Sequence, residues 1–242
     1  MKTPKLTVIG AGPGDVDLIT VKAIKVLKTA DVVLYDALVN SALLDFINPD
    51  ATQIFVGKRS GCYKYQQEQI NELIVAQAKT SGHVVRLKGG DPFIFGRGAE
   101  EMEYAASFGL EVAVVPGISS SIAVAAYQNI PLTKRGSAES FWVITGTTKE
   151  HKISNDIELA AKSNATVVVL MGMSKLPQIV QLFQREGKND LPIAIIQEGT
   201  TVNEKIGIGT VGTIENIVFE MELSNPAIIV LGEVVKHRQT IL

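Results

Sequence analysis

Short aliphatic and β-branched runs alternate with amphipathic stretches along most of the chain. The short runs predict strands at KLTVIGAG, DVVLYD, HVVRLKGG and LEVAVVPG in the first half, and at SFWVITG, ATVVVLMG, LPIAIIQEG and PAIIVLGEVV in the second. The amphipathic stretches predict helices at TVKAIKVLKTA, KYQQEQINELIVAQAKTSG, GAEEMEYAASFG, SSSIAVAAYQNI, NDIELAAKSN and LPQIVQLFQREG. Strands that alternate with helices predict an α/β fold with largely parallel sheets covered by helices.

The middle of the chain differs in composition from the segments on either side. Proline, glycine and polar residues gather between VVPG and SFWVITG, notably in IPLTKRGSAES at 130–140. Because such stretches commonly join domains, we predict two α/β domains of similar size, residues 1–118 and 119–242.

Several of the predicted strands end in glycine, namely Gly10, Gly89, Gly117, Gly146, Gly172 and Gly199. Some of these glycines are ordinary turns. Ligands of open α/β sheets nevertheless bind outside the carboxyl ends of the strands. The strand ends are therefore where the sequence predicts a ligand.

The stretch RLKGGDPFIFGRGAEE, residues 86–101, is the most informative of these strand ends. Gly89 and Gly90 let a ligand approach the main chain, and Pro92 favours an extended conformation at Asp91. A phosphate-binding loop would carry Lys-Ser or Lys-Thr after its last glycine, whereas this stretch has an aspartate near its centre. The pattern favours a nucleoside with a sulfonium or ammonium group over a polyphosphate.

Composition narrows the class of protein. The chain has 242 residues, of which 46% are hydrophobic, which is enough for a substantial core in one or two domains. The net charge of −2 gives no indication of a nucleic acid or membrane partner. The apolar runs are far shorter than the ~20 residues that span a bilayer, and the N-terminus lacks the layout of a signal peptide. We expect a cytoplasmic protein.

Cysteine and histidine do not follow the spacing of a metal site. Cys62 is the single cysteine, so an intrachain disulfide is excluded, and the three histidines are scattered. We therefore expect no metal.

The motif GAGPGD, residues 10–15, raises the alternative of a dinucleotide site. Its first two glycines match G-x-G-x-x-G, and Asp36 lies near the place of a ribose-binding acid. However, Pro13 has no N–H for a phosphate, and Asp15 would place a negative charge beside a pyrophosphate. A dinucleotide-binding oxidoreductase, or a non-catalytic nucleotide-binding module, stays open as an alternative.

The motif GISSS, residues 117–121, stands between a predicted strand and a predicted helix, as a nucleophile elbow would. Ser121 replaces the glycine that the elbow requires, and Ser119 and Ser120 also suit the cap of the helix. A hydrolase is disfavoured.

Taken in order, the motifs of this chain resemble those of a known family. GAGPGD, YDALV, VGKRSG, RLKGGDPFIFGRGAEE, PGISS, PLTKR and VVVLMGM, which extend over nearly the whole chain, resemble the tetrapyrrole methyltransferases. The resemblance implies two α/β domains with a ligand trough between them, and a homodimer. It also implies the stand-alone form of the methylase, because the chain starts directly at these motifs.

The resemblance implies a cofactor, S-adenosylmethionine, whose product is S-adenosylhomocysteine. Carried over by motif, the cofactor contacts fall on Pro13, Gly89, Gly90, Asp91, Ile94, Ser119, Ser120, Met171 and Gly199.

The resemblance also implies C-methylation of a tetrapyrrole. The expected acceptor is uroporphyrinogen III, converted to precorrin-2 via precorrin-1, for sirohaem or cobalamin. Asp36 is then the proton acceptor and Lys58 the proton donor, and the residues that bind the substrate are Arg86, Arg97 and Lys134. Asp36 could instead stabilise a cationic intermediate, and Lys58 could bind a substrate carboxylate.

The chain departs from the family's pattern in three places. Ser119-Ser120 stands where the family commonly has Thr-Ser or Thr-Ala after PGI, a change that keeps a hydroxyl. Lys134 and Thr147 stand where the family often has histidine, which affects the expected substrate contacts and leaves the cofactor contacts unchanged. A related methyltransferase that acts later in corrin synthesis, or on another acceptor, stays open as an alternative.

Overall fold

The computed structural model describes residues 3–57 and 65–241. The chain divides into two compact units, Met1–Ser119 and Ser120–Leu242, and each unit contains a β-sheet and helices. The α/β fold predicted from the alternating pattern is confirmed. None of the helices in the described ranges combines the length and the apolar character needed to cross a bilayer.

The sheet of the first unit is parallel throughout. Its strands are β1 (Lys5–Gly10), β2 (Val32–Tyr35), β3 (Thr52–Phe55), β4 (His83–Lys88) and β5 (Glu111–Val115), in the order β3-β2-β4-β1-β5. The helices are α1 (Val21–Leu27), α2 (Gln67–Ser81) and α3 (Gly98–Ser107). The connections through helices satisfy the need of parallel strands for long crossovers.

Strand β4 is buried on both of its faces. Val84 packs with Ile74 of α2 and Ala105 of α3, whereas Leu87 packs on the opposite face with Leu27 of α1. Because successive side chains of a strand alternate between faces, this run of apolar residues lies between two layers of helix. The burial accounts for the continuous hydrophobic run in the sequence.

The strand order of the first unit differs from that of a dinucleotide-binding fold. Such folds place β1 beside β2 in the order 3-2-1-4-5-6, whereas here β4 lies between β1 and β2. A 3-10 helix, Val16–Leu18, follows the glycines of GAGPGD, and α1 begins only at Val21. The glycines therefore do not open an α-helix whose N-terminus could bind a pyrophosphate, and the dinucleotide alternative loses its structural basis.

The sheet of the second unit is mixed. Its strands are β6 (Phe141–Thr145), β7 (Thr166–Leu170), β8 (Pro192–Gln197), β9 (Lys205–Thr210) and β10 (Ala227–Leu231), in the order β6-β7-β10-β8-β9. Strands β6 and β7 are parallel, and the other neighbours are antiparallel. The helices are α4 (Ser120–Tyr127), α5 (Asp156–Lys162), α6 (Leu176–Arg185), α7 (Ile214–Glu220) and α8 (Arg238–Ile241). The connection between β8 and β9, residues 198–204, is too short for a parallel crossover, which takes about a dozen residues.

Strand β9 was not predicted, because glycine normally disfavours a strand. Helix α7, which follows it, was not predicted either. The sequence of β9, KIGIGT, carries Gly207 and Gly209. A Cβ at Gly209 would lie 2.5 Å from Ile217 Cδ1, and one at Gly207 would lie 3.0 Å from Ile217 Cγ2. Both glycines therefore make room for α7, which packs directly on the strand.

Candidate active site

The carboxyl ends of the first unit's strands bring the predicted site residues together. In the parallel register Gly10 lies opposite Lys88, and Tyr35 lies opposite Leu87. The segments that follow β1, β2 and β4 therefore begin at the same edge of the sheet. This places Pro13, Asp36 and Gly89–Asp91 along one edge, as expected from their positions at strand ends.

The end of β1 and the segments that follow β4 and β5 pack backbone against backbone. A Cβ at Gly117 would lie 2.3 Å from the carbonyl oxygen of Gly90 and 2.7 Å from Cα of Gly10. A Cβ at Gly10 would lie 2.5 Å from Cα of Gly117. Gly12 and Gly90 also exchange backbone hydrogen bonds, at 3.2 and 2.7 Å. We call Gly10, Gly90 and Gly117 the glycine contact.

The carboxylate of Asp91 links two of the same segments. Oδ1 accepts a hydrogen bond from the N–H of Phe93 at 2.8 Å, and Oδ2 accepts one from the N–H of Gly117 at 3.0 Å. The acid that stands out in RLKGGDPFIFGRGAEE thus ties the loop after β4 to the segment after β5. Its position on the chain was predicted, but this bracing role was not.

A cluster of buried charges lies next to the end of β2. The guanidinium of Arg86 donates to Asp36 Oδ1 at 2.6 Å and to Glu101 Oε1 at 3.3 Å, and its Nη1 donates to the carbonyls of Leu34 and Leu87. The side chain of Arg86 is 2% exposed and that of Asp36 is 27% exposed. The buried guanidinium of Arg86 therefore fixes the carboxylate of Asp36, while part of the Asp36 side chain faces solvent.

Lys88 completes this cluster. Its Nζ lies 2.9 Å from Glu101 Oε1 and 3.8 Å from Asp36 Oδ2. Glu101 is fully buried on α3, and Gln67 also donates to its Oε1 at 3.1 Å. We call Asp36, Arg86, Lys88 and Glu101 the charge cluster. It contains two cations and two carboxylates.

Burial and neighbouring charge act in opposite directions on the two cations. Burial by itself lowers the pKa of Arg86, but the carboxylates of Glu101 and Asp36 outweigh it and the pKa is raised. Burial, and next the charge of Arg86, lower the pKa of Lys88, and the carboxylates only partly offset them. Arg86 is therefore the permanent cation of the cluster, and Lys88 loses its proton more readily than an ordinary lysine.

A model of the family described as Tetrapyrrole (Corrin/Porphyrin) Methylases matches residues 5–215. The chain belongs to the tetrapyrrole methylase family. The resemblance stated from the sequence motifs is thereby confirmed.

Individual relatives cover the chain almost completely. The uroporphyrinogen-III C-methyltransferase of Methanocaldococcus jannaschii is 44% identical over 235 residues, which cover 96% of this chain and 97% of the relative. The sirohaem synthase of Nitrosomonas europaea is 43% identical over 238 residues, but the chain spans only 50% of that longer protein. A Thermus thermophilus uroporphyrin-III C-methyltransferase, solved with S-adenosylhomocysteine, matches with a TM-score of 0.83 at 35% identity, covering 96% of this chain and 99% of that one.

In the second unit, two of the methylase-family positions lie at one edge of the sheet. Leu170 and Gln197, the last residues of β7 and β8, pair with the first residues of β10. Met171 directly follows Leu170, and Gly199 is the second residue after Gln197. The two positions therefore lie on either side of β10. Both positions have unusual backbone surroundings. Met171 has φ 54°, and a Cβ at Gly199 would lie 2.3 Å from Val124 of α4, the helix that Ser120 opens.

Of the remaining expected cofactor positions, Ser120 is the first residue of the second unit, and the others lie in the first unit. Pro13 is half-buried, Ser119 is 7% exposed, and Ile94 is 43% exposed on the loop after β4.

The three expected substrate-binding cations have different surroundings. Direct substrate binding by Arg86 does not fit its burial, because the side chain is 2% exposed and each of its three nitrogens already donates within the protein, to Asp36, Glu101 or main-chain carbonyls. Arg97 is exposed, has φ 61°, and forms a surface pair with Glu100. Lys134 is exposed, and its Nζ donates to His237 Nδ1 at 2.8 Å. Arg97 and Lys134 thus keep the accessibility that substrate binding requires, and Arg86 does not.

Lys58, the expected proton donor, lies outside the described residues, as do Arg59, Cys62 and Lys64. In the ranges that are described, His, Cys, Asp and Glu do not gather in groups of three or more that could hold a metal.

Glu101 and Lys88 were not singled out from the sequence. Glu101 lies in the first turn of α3, where a negative charge is favourable, but that position by itself does not indicate that the side chain is buried. A signal was present, because Arg86 and Lys88 are two residues apart in a strand and therefore share a face with the apolar Val84. Buried cations on such a face require a buried acid.

Proposed function

We propose that this chain transfers methyl groups from S-adenosylmethionine to ring carbons of uroporphyrinogen III, giving precorrin-2 by way of precorrin-1. The main support for this proposal is the 44% sequence identity to the M. jannaschii uroporphyrinogen-III C-methyltransferase, which extends over nearly the full length of both proteins. The product is the precursor that sirohaem and cobalamin synthesis share.

The strand ends of the first unit fit the proposed cofactor. The glycine contact brings three loops together, and those loops carry the carboxylate of Asp91 and the hydroxyl of Ser119. Such groups suit the hydroxyls and the positive sulfonium of S-adenosylmethionine better than a polyphosphate. We propose cofactor contacts at Pro13, Gly89, Gly90, Asp91, Ile94, Ser119, Ser120, Met171 and Gly199.

The glycine contact gives a testable consequence for cofactor binding. In Gly117→Ala, the added Cβ would stand 2.3 Å from a carbonyl oxygen of the main chain, which cannot rotate away as a side chain can. We expect a loss of about 1–3 kcal/mol of unfolding free energy, as for other overpacked sites. We also expect affinity for S-adenosylhomocysteine to fall about tenfold or more, a loss of ~1.4 kcal/mol, in calorimetric titration.

The control for this variant is Gly109→Ala. Gly109 has φ +79° with open space around it, so alanine there meets only backbone strain, about 1 kcal/mol. Its affinity for S-adenosylhomocysteine is expected to match wild type. If the Gly117 variant binds S-adenosylhomocysteine as tightly as wild type does, the glycine contact is not part of the cofactor site.

Asp36 is the residue that we propose for the chemical step. When bound, S-adenosylmethionine supplies an electrophilic methyl group on its sulfonium. Methylation of a substituted ring carbon leaves the macrocycle cationic until a proton departs elsewhere. The partly exposed carboxylate of Asp36, fixed by Arg86, can stabilise that cation.

The charge cluster favours one of the two roles considered for Asp36. Its two cations and two carboxylates balance when Lys88 carries its proton and Asp36 is ionised. Protonating Asp36 would leave Arg86 and Lys88 facing Glu101 alone. We therefore propose that Asp36 acts chiefly through its negative charge and holds the substrate proton only transiently. The proposed role of Lys58 as proton donor rests on the family resemblance.

Arg97 and Lys134 are proposed to bind the acidic side chains of the acceptor, since uroporphyrinogen carries carboxylates around its ring. Arg97→Ala removes a charge-assisted hydrogen bond to a carboxylate, so tetrapyrrole binding is expected to weaken about tenfold. Titration with S-adenosylhomocysteine should show little change. Lys162→Ala, which also removes an exposed paired cation, is the control and should affect neither ligand. Equal losses for both ligands in Arg97→Ala would contradict the assignment.

We further propose a homodimer, as the family resemblance implies, that works in the cytoplasm, as the sequence leads us to expect. Light scattering of the purified chain would measure its mass in solution, and a monomer at micromolar concentration would contradict the dimer.

The reaction itself is tested with uroporphyrinogen III and methyl-labelled S-adenosylmethionine. Label should appear in the tetrapyrrole, and mass spectrometry should identify precorrin-2 as the end product. Transfer only to a later corrin intermediate would favour another methyltransferase of the family. Binding of NAD(P) without binding of S-adenosylhomocysteine would favour the oxidoreductase alternative.

A further inference from the structure

The loop after β8 holds an unusual backbone conformation. Glu198 has φ 47° and Thr200 has φ 66°, and Thr200 is only 5% exposed. A β-branched residue at positive φ is a clear outlier, costing of order 1–3 kcal/mol, and it persists only where the surroundings fix it. Gly199, between the two, has no room for a side chain because Val124 lies against it.

A carboxylate fixes this loop. The backbone N–H of Thr200 donates to Glu204 Oε2 at 2.7 Å. The other oxygen of Glu204 accepts from the side-chain amide of Gln128, which is 9% exposed at the end of α4. The amide oxygen of Gln128 accepts in turn from Nε and Nη2 of Arg238, at 3.4 and 3.2 Å.

These four residues form one directed chain of hydrogen bonds. Arg238 can only donate, so the amide oxygen of Gln128 must face it and the amide NH2 must face Glu204. The amide of Gln128 thereby fixes one carboxylate oxygen of Glu204, and the other oxygen accepts from the N–H of Thr200. Each link depends on the one before it, so the backbone of the loop is coupled to the C-terminal helix α8.

We propose that Glu204 is a positioning residue that fixes the backbone of Gly199 and Thr200 for binding S-adenosylmethionine. The proposal rests on the proposed function, in which Gly199 contacts the cofactor. A loop held in its binding conformation before the cofactor arrives does not lose conformational freedom on binding, so preorganisation raises affinity. Glu204 itself need not touch the cofactor.

The test compares Glu204→Gln with wild type. Glutamine keeps the size of the side chain, but its NH2 group must face either the N–H of Thr200 or the NH2 of Gln128. We expect the dissociation constant for S-adenosylhomocysteine to rise about tenfold, as for loss of one charge-assisted hydrogen bond. The KM for S-adenosylmethionine should rise by a similar factor while kcat at saturation stays near wild type.

The double variant Glu204→Gln with Gln128→Glu is the decisive comparison. Gln at position 204 would accept from Thr200 and donate to Glu at position 128, which would accept from Arg238. The exchange restores every link of the chain, so affinity should return to within about threefold of wild type. Glu220→Gln, an exposed glutamate on α7, makes the same change of charge and should leave affinity unaltered.

Three results would overturn the proposal. They are unchanged affinity in Glu204→Gln, an equal loss in Glu220→Gln, and an exchanged variant that binds no better than Glu204→Gln although it melts like wild type. Hydrogen exchange at the Thr200 amide, which should quicken in Glu204→Gln and slow again in the exchanged variant, keeps the test valid if the single variant is unstable. A wild-type chain that binds S-adenosylhomocysteine but does not methylate uroporphyrinogen III would contradict only the proposed acceptor.

Discussion

Asp36→Asn is expected to lower kcat for methylation of uroporphyrinogen III by about 10²-fold or more, the scale at which positioned charges and proton acceptors act. The substitution keeps the shape of the side chain and its contact with Arg86, but removes the charge that would stabilise the cationic macrocycle. Affinity for S-adenosylhomocysteine should stay near wild type, because the change affects the chemical step. Single-turnover rates with labelled cofactor, together with titration of S-adenosylhomocysteine, measure the two effects separately.

Asp45→Asn is the matched control for this variant. Asp45 is exposed on the 3-10 helix that follows the same strand, so the substitution makes an equal change of charge outside the cluster. Its kcat should match that of wild type. If Asp36→Asn turns over uroporphyrinogen III at a near-normal rate, Asp36 has no catalytic role. A large loss of nucleotide affinity with normal kcat would instead make Asp36 a ligand of the ribose.

Most of the elements were predictable because their signals are local. The apolar run of β4 and the long amphipathic helix α2, which ends before Gly82, both occur where the pattern indicates. The pairing of strands is not local. The antiparallel position of β10 between β7 and β8 depends on which edges meet in three dimensions, and a hydrophobic run such as PAIIVLGEVV carries no direction.

The roles of individual site residues were harder to predict than their positions. Asp91 and Arg86 both stand near a strand end, as predicted, but each is occupied by neighbours within the protein. A sequence gives the charge of a residue but not its partner. Glu101 lies 15 positions after Arg86, and its burial follows from the way α3 packs on the sheet. Only that packing distinguishes it from Glu100, the exposed acid beside it.

Strand β4 connects the two parts of the site in the first unit. Arg86 and Lys88, near the end of this strand, belong to the charge cluster. Gly89 and Gly90, which directly follow the strand, begin the loop of the glycine contact. A shift of this strand would therefore move the cofactor loop and the support of Asp36 together. The four charges of the cluster should also contribute to the stability of the unit, and this contribution can be measured separately from catalysis.

Glu101→Gln is expected to lower the free energy of unfolding by about 3–5 kcal/mol, because removing one partner of a buried ion pair leaves its cations uncompensated. Arg86 and Lys88 would then face Asp36 alone. Lys88, whose pKa is already lowered by burial and by Arg86, can lose its proton in response, which keeps the loss toward the lower end of that range. Urea denaturation at neutral pH, followed by circular dichroism, would measure the change.

Glu100→Gln provides the control on the same turn of the same helix. Glu100 pairs with Arg97 at the surface, where both side chains are about half exposed, and such pairs contribute about 1 kcal/mol or less. The two variants make the same chemical change one residue apart, so they differ only in burial and partners. A loss of stability for Glu101→Gln as small as that for Glu100→Gln would show that Lys88 and Arg86 do not need Glu101. The charge cluster would then not be the support that holds Asp36.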